Sequence, residues 1–159
     1  MKVIFLDIDG VLNTERYCKI QVKRAMADSY EANFNFDPIC MRCLKELIDK
    51  TGAKIVLSSS WRENPKDEYF YQFQLNLKVY GLLDSFISTT PIFHSSDIRG
   101  EEIKLWLNIN KNIYKDIEYI IIDDEDNMGE LKDRLVKCNP YYGFNNEMKE
   151  KAYSLFNIK

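Results

Sequence analysis

Histidine is nearly missing from this 159-residue chain, where His94 is the only one. Four cysteines are present, Cys18, Cys40, Cys43 and Cys138, and Cys40 and Cys43 have the spacing of half a zinc site. With no second cysteine pair and one histidine, a closed zinc tetrahedron is hard to complete, so these thiols read as neighbours on one helix face. An excess of basic charge is also absent. Lysine and arginine total 22 against 25 aspartates and glutamates, a net charge of −3. Proteins that hold nucleic acid by bulk electrostatics are ordinarily basic, which leaves only a local basic face for that role. No run approaches the ~20 apolar residues of a membrane span. Met1 to Asp7 meets charge at once, unlike an export signal. The expected setting is therefore cytoplasmic, with free thiols and no membrane partner. No internal repeat or Gly/Ser linker divides the sequence, so one domain over residues 1–159 is expected.

What is present is a core-forming composition, 45% hydrophobic and 30% charged, which excludes a disordered tail. The apolar runs are short and alternate with helical patterns. Val3 to Leu6, Lys54 to Leu57, Phe86 to Thr89, Tyr119 to Ile122 and Leu135 to Cys138 read as strands. Asp37-Pro38 opens a helix, an N-cap followed by proline at the first helical position. Its stripe is Cys40, Cys43 or Leu44, Leu47 and Ile48, and it stops near Gly52. Further helices are expected from Tyr69 to Tyr80, from Ile103 to Ile109 and from Met148 to Phe156. The second of these carries Ile103, Leu105, Trp106, Leu107 and Ile109 on its apolar side. The aromatics Tyr69, Phe70, Tyr71 and Phe73 are assigned to the core and not to a base-stacking platform. Strand and helix in alternation predict an α/β fold, a three-layer sandwich around a parallel sheet.

In open parallel sheets, ligands bind beyond the carboxyl ends of the strands. Here those ends are loaded with chemistry: Asp7-Ile8-Asp9-Gly10, Ser58-Ser59-Ser60 and Asp123-Asp124. Asp7 and Asp9 are two apart, so on an extended strand they share a side. Converging carboxylates raise one another's pKa unless a cation sits among them, and Mg²⁺, a hard ion with oxygen ligands, suits them. Taken singly, each pattern has a plainer reading. Asp-x-Asp-Gly also opens calcium loops, although Asn13, Thr14 and Cys18 do not continue that ligand series. A serine run also makes a helix N-cap turn, and an aspartate pair a solvated turn. In this order, all at strand ends, they point to one site.

These residues also resemble a family. Phe5-Leu6-Asp7-Ile8-Asp9-Gly10-Val11-Leu12 is similar to the first motif of the haloacid dehalogenase (HAD) superfamily, and Ile55 to Trp61 resembles the second. Ile98-Arg99-Gly100-Glu101-Glu102-Ile103 resembles the third, and Tyr119 to Asp124 the fourth. The Ser-Trp after motif two, Trp106-Leu107 and Tyr142-Gly143-Phe144 are most similar to the small HAD domain of Swiss Army Knife RNA-repair proteins. The resemblance implies a Rossmannoid core without a large cap, and a Mg²⁺-dependent phosphohydrolase. Asp7 would be the nucleophile and Asp9 the acid and base, touching Mg²⁺ through its backbone carbonyl. Asp124 would complete the metal site with Asp7, and Asp123 would support it or replace it. Ser59 and neighbouring amides would hold the phosphoryl oxygens, and Arg99 would neutralise charge on phosphate and nucleophile.

Several assignments stay open at this point. The motif-two hydroxyl is Ser59 or Ser58, with Ser59 preferred beside Ser60-Trp61. The motif-three base is Arg99 or, one helical turn on, Lys104. Ser58, Ser60, Arg62 and Lys104 are candidates for binding substrate. The insertion between about residues 13 and 37 has room for a helix but not for a lid domain. Arg16, Lys19 and Lys23 would share one face of it, most simply as a solvated face. His94 falls in a loop with Ser95 and Ser96. The expected substrate is a phosphomonoester on a nucleic-acid end, a nucleotide or another molecule. A phosphoprotein phosphatase, a phospho-receiver and a silent binding domain are the alternatives. A receiver should place its acidic pair first, and here Asp-x-Asp precedes everything.

Overall fold

The computed structural model describes residues 1–28, 35–64, 66–93 and 99–158. A five-stranded sheet lies at its centre, all neighbours parallel: β1 (Lys2–Leu6), β2 (Lys54–Leu57), β3 (Phe86–Thr89), β4 (Glu118–Asp123) and β5 (Leu135–Lys137). The strand order is β3-β2-β1-β4-β5. The chain thus builds outward from β1 to β3, then returns to the other side of β1 for β4 and β5. That reversal makes the gap between the carboxyl ends of β1 and β4 the topological switch point, where ligands of open α/β sheets bind.

The helices follow from the same reversal, because crossovers between parallel strands are right-handed. α2 (Pro38–Thr51) joins β1 to β2, and α3 (Glu68–Val79) lies between β2 and β3. Both pack on one face, as α5 (Asn146–Leu155) does, around Ile4, Leu6, Ile55, Leu57, Ile120 and Ile122. α4 (Arg99–Asn110), on the return path, covers the other face, where Ile103 and Trp106 meet Val3, Phe5, Val56 and Ile121. Alternate residues of each strand therefore serve opposite cores, as the period of two requires. Phe5 meets the Trp106 ring edge-on at 5.3 Å. These are the three layers expected from the alternation of strands and helices.

α2 is capped as read, since Asp37 accepts from the Ile39 amide and Gly52 closes the helix in the left-handed region. Its buried stripe holds Cys40, Cys43, Leu44, Leu47 and Ile48, with Met41 added. Cys40 and Cys43 are free thiols in that core, and burial pushes the Cys40 thiol up to about 12. The insertion carries a helix, α1 (Glu15–Asp28). Of its cations, Arg16 pairs with buried Asp37, and Lys19, exposed, lies 5.1 Å over the Tyr141 ring. His94, Ser95 and Ser96 lie outside the described residues. No helix among the described residues is long and apolar enough to cross a membrane.

Two expectations about the core are corrected. Of the five apolar residues expected on the buried side of α4, only Ile103 and Trp106 are buried and Ile109 is exposed, because one sheet face covers a narrower arc than five apolar residues offer. On α3 Phe73 is buried and Phe70 half-buried, but Tyr69 and Tyr71 face solvent. Their phenol hydroxyls tolerate that placement.

Candidate active site

Asp7 follows β1 directly, and its amide donates to Ile122 O of β4 at 3.0 Å, so the strand pairing carries it to the switch point. Asp123 ends β4, and Asp124 comes next. Carboxylate oxygens of Asp7, Asp123 and Asp124 all lie within 4.8 Å of one another. The all-oxygen donor set is the kind a hard cation such as Mg²⁺ takes. Asp7 and Asp123 are buried and Asp124 is half-exposed.

Arg99, at the start of α4, answers this charge. Its Nη1 lies 2.6 Å from Asp7 Oδ1 and 2.7 Å from Asp123 Oδ2. Burial works against its charge, but the two carboxylates hold it firmly protonated. The acids remain perturbed. Burial raises Asp7 above the usual carboxylate value, with Arg99, the Ile8 amide and the Ser59 hydroxyl working against the rise. Burial and the neighbouring Asp7 charge push Asp123 up to about 7, and the same two causes raise Asp124.

Gly10 gives room for this cluster. Its φ is +71°, and a Cβ there would stand 2.3 Å from Asp124 Oδ2, so any side chain would displace that carboxylate. The tight turn after β1 also holds Asp9, whose side chain points elsewhere. Asp9 Oδ2 accepts from Trp61 Nε1 and Oδ1 from Asn13 Nδ2, each at 2.8 Å. Its carboxylate is thus oriented by two donors and stays outside the three-acid cluster. Gly143 allows the segment after β5 to seal the same turn. A Cβ there would meet Val11 O at 2.3 Å, and the Phe144 amide bonds that oxygen at 2.9 Å.

The serines separate. Ser59 donates to Asp7 and caps the short turn Ser60–Arg62 by accepting from the Trp61 amide. Ser58 Oγ is buried with no hydrogen-bond partner among the described residues, whereas Ser60 is exposed at the cleft. Of the two serines left open, Ser59 is the one touching Asp7. Arg62 and Lys104 are not brought to the acids. Arg62 is buried, 2.5 Å from Glu102, and donates to the carbonyls of Ser59, Thr90 and Pro91. Four hydrogen bonds thus tie it to the loops after β2 and β3 and to Glu102. Lys104 lies between Glu101 and Glu130, 2.9 Å from each, on the outer side of α4. Of Arg99 and Lys104, Arg99 is the one that lies against the acids.

The residues that motif reading passed over are Asn13, Trp61 and Glu102. Asn13 had a usable signal, an amide four residues after Asp9 in a tight turn. Trp61 and Glu102 reach their partners across 52 and 40 positions, which no local pattern encodes.

No curated protein and no solved structure shows a significant match to the chain. A family model does, over residues 3–148, a span that takes in all four motifs. With that match over a parallel sheet and an acidic switch point, the chain belongs to the family described as the HAD domain in Swiss Army Knife RNA repair proteins.

Proposed function

We propose that this protein is a Mg²⁺-dependent phosphohydrolase that works through an aspartyl-phosphate on Asp7. The observation that carries the reading is Arg99, held between Asp7 and Asp123 at the switch point with Asp124 within ligand reach. A carboxylate paired with a fixed cation, beside a group of carboxylates that could hold a second cation, suits attack on a dianionic phosphate. Asp7 and Asp124, with Asp123 in support, would hold Mg²⁺, whose charge would offset that of the phosphoryl oxygens.

The chain's own groups carry the rest. An Asp7 oxygen forms the bond to phosphorus as the ester P–O bond breaks in line. The electron pair leaves on the alcohol oxygen, which takes a proton from Asp9. In the second half, Asp9, now a carboxylate, takes a proton from water as the water oxygen bonds phosphorus and the P–O bond to Asp7 breaks. Trp61 and Asn13 hold Asp9 in one orientation for both transfers. Arg99 and Ser59 keep Asp7 aligned.

Substrates in view are nucleic-acid ends, nucleotides and other phosphomonoesters. The RNA-repair description of the family favours the first, and the net charge of −3 weighs against a long polynucleotide track. A phosphoprotein substrate is the second reading. A receiver or silent role is disfavoured by Asp9, which neither of those roles needs. The test is a screen with Mg²⁺ over nucleotides, 5′- and 3′-phosphorylated oligonucleotides and phosphopeptides. Asp7→Asn is expected to abolish turnover, and Asp9→Asn to slow it about 10²–10⁴-fold. Near wild-type turnover by Asp7→Asn would refute the covalent route.

A further inference from the structure

Two cavities meet at Asp9. The first, about 460 Å³, contains Asp7, Asp124 and Arg99. The second, about 540 Å³, has no acid of the metal cluster in its walls. Asp9, Asn13 and Ser60 belong to both and form the partition between them. We propose that the second cavity receives the leaving group, and that this leaving group is a nucleoside carried by a mononucleotide or by a nucleic-acid end. The inference rests on the reading of Asp7 as nucleophile and Asp9 as acid.

Geometry gives the first half. Attacking and leaving oxygens stand in line across phosphorus, and the acid must reach the leaving one. With Asp7 in the first cavity and Asp9 in the partition, the departing alcohol lies on the second cavity's side. The size of that cavity suits a small organic group, since ligand pockets span about 300–1,000 Å³.

The walls give the second half. Tyr69 and Trp61 pack with ring centroids 5.1 Å apart, and Tyr69 is 45% exposed, so the cavity has a part-exposed aromatic wall. A flat heterocycle stacks on such a ring. Around it stand Glu63, Asn64 and Asp67. Asp67 already accepts from the Glu68 amide at the head of α3, but the Glu63 carboxylate accepts no hydrogen bond among the described residues. These oxygens suit the N–H donors of a base edge and the hydroxyls of a ribose. No lysine or arginine lines the cavity among the described residues, so a second phosphate there would meet the charge of Asp9, Glu63 and Asp67 with no cation to offset it. A neutral ring with donors fits, whereas a polyphosphate does not.

The test compares kcat/KM, with Mg²⁺, for four nucleoside monophosphates, the matching diphosphates, glycerol 3-phosphate, phosphoserine peptides and oligonucleotides phosphorylated at either end. Monophosphates or oligonucleotide ends are expected to exceed glycerol 3-phosphate at least tenfold, and diphosphates to lag behind monophosphates. Which of the two arms leads identifies the source of the nucleoside. Tyr69→Ala should shrink that preference about tenfold, as loss of base stacking does. In parallel, guanosine and adenosine are titrated into the Asp7→Asn protein, and the Trp61 indole N–H resonance should move with saturation. If glycerol phosphate or phosphopeptides are turned over as well as the nucleotides, the hydrolase reading stands and the nucleoside assignment falls. If nothing is hydrolysed, the hydrolase reading falls. The indole resonance then decides the cavity alone, and an unmoved signal overturns it.

Discussion

Removal of Arg99 should expose how much of the fold's stability its single charge controls. The substitution Arg99→Met keeps most of the stem and deletes the guanidinium that lies 2.6 Å from Asp7 and 2.7 Å from Asp123. The arginine side chain is 17% exposed and those carboxylates 6% and 1%, so solvent screens the loss weakly. Breaking one side of a buried ion pair costs about 3–5 kcal/mol, because the stranded charge stays in place. For a domain of this size each kcal/mol moves Tm by about 2–4 °C, so a fall of roughly 6–20 °C is predicted in EDTA at pH 8. Protonation offers the acids an escape, and the loss should shrink at pH 5, where Asp123 is neutral in both proteins. Mg²⁺ offers another. At a hundred times its dissociation constant it returns about 2.7 kcal/mol, and it should bind the variant more tightly because no fixed cation competes. The assay is a set of thermal melts of both proteins at pH 5 and pH 8, with EDTA and with a Mg²⁺ series at constant ionic strength. A drop below about 2 °C at pH 8 in EDTA, or a Mg²⁺ shift no larger in the variant than in the wild type, would refute the charge-compensation argument.

Asp124→Asn removes one negative charge and one ligand together. It should leave the metal-free protein as stable as the wild type or more so, and it should shrink the Mg²⁺-induced rise in Tm. Gly10→Ala should act through the same carboxylate: a Cβ 2.3 Å from Asp124 Oδ2, at a φ of +71°, should cost about 1–3 kcal/mol and weaken the Mg²⁺ response in the same melts. The pH dependence has a definite sign. The raised values of Asp7, Asp123 and Asp124 mean that the folded protein binds more protons than the unfolded chain above about pH 4. Their contribution is full below that pH and is lost as pH rises through the raised values, for Asp123 through about 7. In EDTA the Tm of the wild type relative to Asp123→Asn should therefore fall between pH 5 and pH 8. A flat difference would sink the assignment.

The carboxylate end of the sheet was legible because strand ends leave a local signature. An apolar run that stops at a polar or charged residue marks both the strand and the side chain it delivers, and the structure brings Asp7, Ser59 and Asp123 together in that way. The family match over residues 3–148 spans all of them. Two arginines show where such reading stops. Arg62 and Arg99 each sit next to a strand-end or helix-start motif, and composition gives no reason to prefer either. Arg62 spends its donors on Glu102 and three carbonyls, while Arg99 meets Asp7 and Asp123. The distinction depends on which face of the sheet α4 covers, and so on the return of the chain past β1. Tyr69 illustrates the same limit on the other side. Its helical spacing matched a core stripe, yet its ring is 45% exposed beside Asp9, because the turn Ser60–Arg62 sets Trp61 beneath it. Periodicity reports that a residue can be buried, whereas the neighbour that arrives from elsewhere in the chain decides whether it is.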